Sequence, residues 1–182
     1  SLFFDQTTQS FRPNAFLYFI KELFQSTFAL LLLFFLFALF VIFIKTKKIN
    51  RPTIFLISTL IISAITIEIV MKGEFGRARP RDIIEFNGDQ QFTRAFEISD
   101  QCHKNCSFVS GHAGIGFFFL TFGFIMRKKW AFIPGLALGI LLSYTRIAQG
   151  GHFLSDVVIA GYVTLGITWL NYLFWLKPKT PL

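Results

Sequence analysis

The fold is decided by residues 23–44, whose sequence is LFQSTFALLLLFFLFALFVIFI. These 22 residues include no charged side chain. A helix needs about 20 apolar residues to cross the hydrocarbon core of a bilayer, so we predict that this stretch spans a membrane. A secretory signal peptide is excluded because the stretch is too long and no small-residue cleavage site follows it.

Four further apolar stretches continue this pattern. They cover residues 53–71, 111–126, 130–145 and 153–176. The middle two are shorter than the ~17–25 residues typical of a spanning helix, and we expect neighbouring glycine and motif residues to extend them by a turn. Hydrophobic residues make up 53% of the 182-residue chain, above the ~45–50% of soluble domains. The predicted fold class is therefore all-α, a polytopic transmembrane helical bundle with five visible spans.

The distribution of charge orients this bundle. Three segments hold nine bases and no acid: those between spans one and two, between spans three and four, and after span five. Their bases are Lys45, Lys47, Lys48, Arg51, Arg127, Lys128, Lys129, Lys177 and Lys179. The positive-inside rule places these segments in the cytoplasm and the other side of the bundle outside. The net charge of +8 thus reflects topology, and no nucleic-acid partner is expected.

The same rule places residues 1–22 outside, although the chain begins with Ser. An exported amino end needs a segment that carries it across the membrane. We infer that an earlier span or a re-entrant segment is missing, was removed, or is compressed into residues 1–20. That stretch mixes Phe with Gln, Thr and Lys, a composition that can lie in the membrane interface.

Residues 72–109 form the one long polar segment, with six bases, six acids, turn residues and room for a short helix. This segment also holds the only two cysteines, Cys102 and Cys106, which are four residues apart. In an oxidising periplasm they can form a disulfide. Free thiols, or a metal site that adds a nearby histidine, are the alternatives. Because there is no repeat or low-complexity linker, residues 1–182 are predicted to form a single domain.

Three polar motifs lie where apolar stretches meet the outer side. Under the predicted topology they end spans two and four and begin spans three and five, so all three reach one face. Together they supply cations, two histidines, a carboxylate and a glycine turn, which are the groups needed to bind and cleave a phosphate. The motif residues are Lys72, Arg79, Pro80, Ser110, Gly111, His112, Thr145, Arg146, His152 and Asp156.

His152 and Asp156 are four residues apart, which is one turn of a helix. A carboxylate at that spacing can accept a hydrogen bond from one ring nitrogen and leave the other nitrogen free to attack. The alternative is a loop histidine beside an aspartate that caps a helix. Arg146 favours the first interpretation, since a histidine, an arginine and an acid within eleven residues suit a phosphate better than packing.

Ser110, Gly111 and His112 open an apolar helix. A helix amino end presents free N–H groups and a positive dipole, and Ser110 can both cap the helix and donate to an anion. His112 can protonate a leaving oxygen. On its own, this tripeptide is equally typical of an ordinary helix cap.

Lys72 and Arg79 can neutralise the equatorial oxygens of a five-coordinate phosphorus. The alternative is that both side chains snorkel to the membrane interface. Glu68 lies four residues before Lys72, and pairing between them would explain a carboxylate so close to a membrane span.

In this order, the motifs Lys-x6-Arg-Pro, Ser-Gly-His and Arg-x5-His-x3-Asp resemble those of the type 2 phosphatidic acid phosphatase (PAP2) superfamily. That family joins membrane lipid phosphatases to soluble vanadium haloperoxidases, and the apolar spans exclude the soluble branch. The resemblance covers residues 72–156 by motif and the flanking spans by architecture. Val109 and Thr145 stand where the family usually has Pro and Ser, and neither change removes a donor. Membrane members usually have six spans, one more than is visible here.

The resemblance implies a role for each matching residue. His152 would be the nucleophile that forms a phosphohistidine, Asp156 would orient it, and His112 would be the general acid. It also implies hydrolysis without a metal or a cofactor. The implied phosphate-binding set is Lys72, Arg79, Ser110, the Gly111 amide and Arg146.

Within the family, residues 105–112, NCSFVSGH, are similar to bacterial lipid A phosphatases. We therefore expect a multi-pass phosphatase of the bacterial inner membrane, with its site facing the periplasm, that removes the 1- or 4′-phosphate of lipid A. Phosphatidylglycerol phosphate and undecaprenyl pyrophosphate are alternative substrates. A lipid phosphotransferase and a non-catalytic lipid-binding protein are alternatives of another class. The expected partners are the phosphorylated lipid and the bilayer, with no obligate protein partner.

Four more bases lie in the outer loop, namely Arg77, Arg81, Arg94 and Lys104. They can hold a second phosphate or an acidic headgroup. Since six acids share the loop with its six bases, these side chains can equally pair with one another.

Overall fold

The computed structural model describes residues 3–11 and 50–177, together with Phe16 and Phe19. The predicted first span, residues 23–44, lies outside the described residues. So do four of the predicted cytoplasmic bases, which are Lys45, Lys47, Lys48 and Lys179.

The described residues fold mainly into helices, joined by one long loop and preceded by a small hairpin. In the hairpin, β1 and β2 are antiparallel, with Phe4 opposite Phe11. The elements are β1 (Phe4–Asp5), β2 (Ser10–Phe11), α1 (Arg51–Ala64), a π-helix (Ile65–Met71), α2 (Lys72–Phe75), α3 (Gly111–Phe118), α4 (Thr121–Met126), α5 (Ile133–Ala148) and α6 (Leu154–Trp175), with 3-10 turns at Pro80–Asp82, Ile84–Phe86 and Lys129–Phe132.

Three runs of helix in the described part are long and apolar enough to cross a membrane. They are Arg51–Asp82, Lys129–Ala148 and Leu154–Trp175, and Gly111–Met126 is a shorter apolar helix. The all-α membrane fold is thereby confirmed, whereas the count of five spans stays a prediction. The expected extension by a turn occurs in the run that ends at Ala148, while Gly111–Met126 keeps its predicted bounds.

Helix α1 begins and ends at clear local signals. The Asn50 side chain accepts from the Thr53 amide at 3.0 Å, which satisfies one of the free N–H groups of the first turn. After the π-helix, α2 ends at Gly76, whose φ of 51° is left-handed, before the 3-10 turn that completes the run to Asp82. A Cβ at Gly76 would lie 1.9 Å from the Ser99 carbonyl oxygen, so only glycine fits this turn.

Close backbone contact joins α3 to α5. A Cβ on Gly116 would lie only 2.7 Å from the Gly139 Cα, so Gly116 allows the two backbones to touch. Small residues allow membrane helices to approach closely and gain dispersion contacts. A buried cluster beside this contact, formed by Ile67, Phe108, Val109, Ala113, Val157 and Ala160, packs the end of the long loop between α3, α6 and the π-helix.

Helix direction places the polar motifs at one end of the bundle. The run from α1 to α2 and helix α5 end there, and α3 and α6 begin there. At the opposite end, Arg127 Nη2 donates to the Leu176 carbonyl at 2.9 Å. Two of the segments predicted to be cytoplasmic therefore meet at the far end from the motifs.

The loop between α2 and α3 is held by local hydrogen bonds and one disulfide. Within the predicted polar segment 72–109, the short helix is α2 (Lys72–Phe75), and two single 3-10 turns follow in the loop. The Ile84 amide donates to the Gln90 carbonyl at 2.9 Å, beside an isolated bridge between Ile83 and Gln90. Cys102 and Cys106 form a disulfide, with their Cα atoms 5.5 Å apart.

Residues 3–11 form a hairpin packed on the loop side of the bundle. The rings of Phe4 and Phe11 lie 5.0 and 5.1 Å from that of Phe86. Phe11 also covers Gly150, where a Cβ would lie 2.6 Å from the Phe11 ring. This amino-terminal stretch thus contacts the segment that leads to His152.

Candidate active site

His152 lies just before α6 and is almost fully buried. Its Nδ1 is 2.7 Å from the Ser107 carbonyl oxygen. A carbonyl can only accept, so this contact requires the proton to be on Nδ1. The lone pair is therefore on Nε2, and this nitrogen can attack an electrophile.

Asp156 lies in the first turn of α6 and is completely buried. One of its oxygens, Oδ2, accepts from the Phe153 amide at 2.9 Å and lies 3.7 Å from His152 Nδ1. That second distance is longer than a hydrogen bond. Asp156 therefore caps helix α6, which is one of the two roles considered from the sequence. It also places a negative charge beside His152, as in the other role, but it does not accept a hydrogen bond from the ring.

Two residues that orient Asp156 were missed by the sequence reasoning. Arg77 Nη1 donates to Asp156 Oδ1 at 2.5 Å, and Ser107 Oγ donates to Oδ2 at 2.5 Å. Ser107 thus contacts the carboxylate with its hydroxyl and His152 with its carbonyl. No spacing rule relates either residue to Asp156, because they are 79 and 49 residues away in sequence.

The Arg77 side chain is fixed by hydrogen bonds and by an aromatic ring. Its Nε donates to the Thr93 carbonyl at 2.8 Å, and its guanidinium lies 4.1 Å from the centre of the Phe153 ring. The side chain is 3% exposed. The interpretation of Arg77 as a headgroup-binding residue is therefore corrected, because its donors serve Asp156 and the protein interior.

Two guanidinium groups near His152 carry positive charge that no carboxylate neutralises directly. Arg79 Nε and Nη2 donate to the Asn105 carbonyl at 3.1 and 2.7 Å, and Arg146 Nη1 donates to Gln149 Oε1 at 2.9 Å. Within residues 3–11 and 50–177, neither arginine forms an ion pair, and Arg146 Nε is buried without a hydrogen-bond partner. Buried cations without counter-charges are costly unless an anion joins them, so this arrangement favours an anionic ligand.

Lys72 adds a third cation beside the amino end of α3. Its Nζ lies 2.6 Å from Glu68 Oε2, which is the pairing predicted from their spacing. A Cβ on Gly111 would lie 3.5 Å from Lys72 Nζ and 1.9 Å from Glu68 Oε1, so any larger residue here would displace the Glu68 carboxylate. Ser110 caps α3, with its Oγ accepting from the Ala113 amide at 3.4 Å.

His112 is half-buried in the first turn of α3. The charges of Arg146, His152, Lys72 and Arg79 all act on it. The predicted catalytic and phosphate-binding residues thus converge from four segments that are distant in sequence.

The electrostatic surroundings keep His152 neutral. Burial lowers the pKa of His152 from its ordinary value of 6.5 to about 4, and Arg146 and Arg79 act in the same direction while Asp156 opposes them. Desolvation disfavours the charged form of an imidazole. At pH 7 the ring is therefore unprotonated at Nε2, as a nucleophile requires.

The other predicted headgroup residues lie outside this cluster. Arg81, Arg94 and Lys104 are all exposed on the loop. Arg81 Nε is 3.6 Å from Asp82 Oδ1, so Arg81 forms the kind of ion pair within the loop that was the alternative to headgroup binding. Across the described residues, no three His, Cys, Asp or Glu side chains are grouped as metal ligands.

Residues 51–180 match the family model described as the PAP2 superfamily. The chain belongs to this superfamily. The match includes every motif residue of the site, and it confirms the resemblance on which the roles of His112 and His152 depend. Membership in the PAP2 superfamily, together with the names of its relatives, supports a lipid phosphatase.

Three curated relatives of this PAP2 protein are each named Lipid A 4′-phosphatase. The protein of Francisella tularensis subsp. novicida is 37% identical over 171 residues, which cover 90% of this chain and 76% of the relative. Those of Rhizobium etli and Rhizobium leguminosarum are 35% and 36% identical over 118 residues. These matches cover 63% of this chain and only 46% and 51% of the two Rhizobium proteins. No solved structure matches the chain.

Proposed function

We propose that this PAP2 protein is a membrane phosphatase that removes the 4′-phosphate of lipid A. The observation that carries the proposal is the neutral, buried His152, whose Nδ1 is bound to a carbonyl beside two guanidinium groups that form no ion pair with the described residues. A binding protein needs the cations and has no use for an activated nucleophile. The relatives' common name supports the position of the phosphate.

The reaction proceeds in two steps. First, His152 Nε2 forms a bond to phosphorus while the bond from phosphorus to the sugar oxygen breaks, and His112 gives a proton to that oxygen. Next, water attacks the phosphohistidine, His112 takes a proton from the water, and the nitrogen–phosphorus bond breaks to release inorganic phosphate. Lys72, Arg79 and Arg146 stabilise the charge on the equatorial oxygens in both steps.

The proposed site faces the periplasm. It lies at the end of the bundle opposite Arg127 and Leu176, where the described bare-basic segments meet. The positive-inside rule assigns that basic end to the cytoplasm. The disulfide of Cys102 and Cys106 supports an oxidising compartment on the site's side.

Phosphate release from a panel of lipids tests the proposed function. The purified full chain in detergent would be given lipid A, phosphatidylglycerol phosphate and undecaprenyl pyrophosphate, each with and without EDTA. We expect free phosphate and loss of the 4′ group from lipid A, unchanged by the chelator. Transfer of the phosphoryl group to another lipid without free phosphate would instead indicate a phosphotransferase, and binding without either product would indicate a lipid-binding protein.

The pH profile of kcat/KM should have an unusually low acid limb. The pKa of His152 is lowered to about 4, so the ring stays neutral, and competent to attack, as pH falls from 7 to about 5. Below about pH 4, protonation of Nε2 removes the lone pair, and kcat/KM should fall about tenfold per pH unit. Initial rates between pH 3.5 and 8, with a return to pH 7 to check for recovery, measure this. An acid limb near pH 6.5 would contradict a buried histidine nucleophile.

A further inference from the structure

A polar cavity of about 440 Å³ opens in the outer loop next to the active site. This volume is within the range of about 300–1,000 Å³ found for small-molecule sites. Its lining includes Arg81, Asp82, Asn87, Asp89, Gln90 and Gln101.

The cavity adjoins the chain segments that carry the phosphate site. Ala78 lines it and lies in sequence between Arg77, which holds Asp156, and Arg79. The Arg81 amide donates to the Gly150 carbonyl at 3.0 Å, two residues before His152. The charge of Arg81 also acts on both Arg79 and Arg146. The cavity and the phosphate site are therefore joined through Arg81 and Gly150.

The cavity wall is preformed by backbone hydrogen bonds. The Gln90 amide donates to the Asp82 carbonyl at 2.9 Å, and the Gly88 amide donates to the Ile83 carbonyl at 2.9 Å. A Cβ on Gly88 would lie 2.2 Å from the Asp82 carbonyl carbon, so the turn is closed tightly. On another side, Cys102 lines the cavity and is held by its disulfide to Cys106. These bonds fix the backbone of the cavity wall before a ligand binds, which lowers the entropy cost of binding.

The polar side chains of this cavity that make no hydrogen bond favour a ligand with hydroxyl groups over a second phosphate. Among the described residues, the side chains of Asn87, Asp89 and Gln90 make no hydrogen bond, whereas Gln101 is already bonded to Asp100 and to the Gln91 amide. Carboxylates and carboxamides together offer acceptors and donors to neutral hydroxyl and amide groups. Two carboxylates line the cavity against the single guanidinium of Arg81, which disfavours another anion.

We propose that this cavity binds a sugar ring of the lipid headgroup, through Asn87, Asp89 and Gln90, while the phosphate attached to that headgroup lies at His152. The inference rests on the proposed function, because it names the part of the substrate that the loop recognises. It also reassigns headgroup recognition from the loop's bases to its carboxamide and carboxylate side chains.

The test compares Asp89→Ala/Gln90→Ala with the wild-type full chain, using purified lipid A in detergent micelles. Loss of a hydrogen bond to a neutral group weakens binding by roughly three- to tenfold, and loss of one to a carboxylate weakens it by more. We therefore expect KM for lipid A to rise about tenfold or more. Both kcat and the vanadate inhibition constant should stay within twofold, because vanadate occupies only the phosphate site.

Glu85→Ala is the matched control, since it removes one carboxylate from the same loop but from the wall of a neighbouring cavity. It should leave KM unchanged, whereas Arg79→Ala should weaken vanadate inhibition. A KM of the double variant within twofold of the wild-type value would refute the sugar site but not the proposed function. The same conclusion would follow if Glu85→Ala raised KM equally, or if the double variant also lost vanadate inhibition. If the wild-type chain releases no phosphate from lipid A, the proposed function fails and the sugar site with it.

Discussion

Replacing His152 by alanine should lower phosphate release from lipid A by about a thousandfold or more. His152 Nε2 is the proposed attacking atom, and loss of a covalent nucleophile removes the whole two-step route and leaves only the effect of binding. The variant should also fail to retain radioactive phosphate from labelled substrate after rapid acid-free denaturation. Initial rates and labelled-protein counts together measure this.

His103→Ala is the matched control for this variant, because His103 is an exposed histidine of the outer loop. It should keep wild-type rates. His112→Ala should be slowed but still label His152, since the general acid acts on the leaving oxygen and on water. Activity of His152→Ala within tenfold of wild type would refute the nucleophile assignment.

Replacing Arg77 by methionine should reduce kcat/KM by about a hundredfold and destabilise the fold. Removal of one partner of a buried ion pair leaves an uncompensated charge and costs about 3–5 kcal/mol. Here the uncompensated charge would be Asp156, which is completely buried. Displacement of His152 by about 1 Å is enough to lower a rate a hundredfold. Thermal unfolding in detergent and steady-state kinetics measure the two effects.

The pH profile separates a positioning role for Arg77 from a purely structural one. Without the guanidinium, the Asp156 charge acts more strongly on His152 and raises its pKa above the value of about 4, so the acid limb of kcat/KM should move to higher pH. Arg77→Met/Asp156→Asn should recover thermal stability, because no buried charge is left unpaired, but not activity. A single variant with lost stability and an unmoved acid limb would show that Arg77 only supports the fold.

Local sequence order was sufficient for the membrane character and for the family motifs, whose catalytic roles remain a proposal. The apolar length of each span depends only on consecutive residues, and the helix that ends at Ala148 and the one that begins at Leu154 follow that pattern. The three motifs were recognisable because their spacings are short and their residue types are demanded by phosphate chemistry. Lys72 paired with Glu68 for the same reason, since one helical turn separates them.

Long-range packing decided what surrounds those residues. Arg77 was interpreted as one more loop base, and only the fold brings it to Asp156, 79 residues later. The proton on His152 Nδ1 depends on the Ser107 carbonyl, a backbone group that carries no signature in a side-chain pattern.

By itself, the sequence determined that this chain is a helical membrane protein with a phosphate-cleaving set of side chains, because hydrophobicity and residue chemistry are local properties. Only the tertiary structure decided which charges remain without partners. In the part of the chain that the structure describes, Arg79 and Arg146 form no ion pair with a carboxylate whereas Arg77 does, although all three are arginines near the same site. Burial and pairing are properties of the folded chain, since both depend on which distant segments exclude water from a given group.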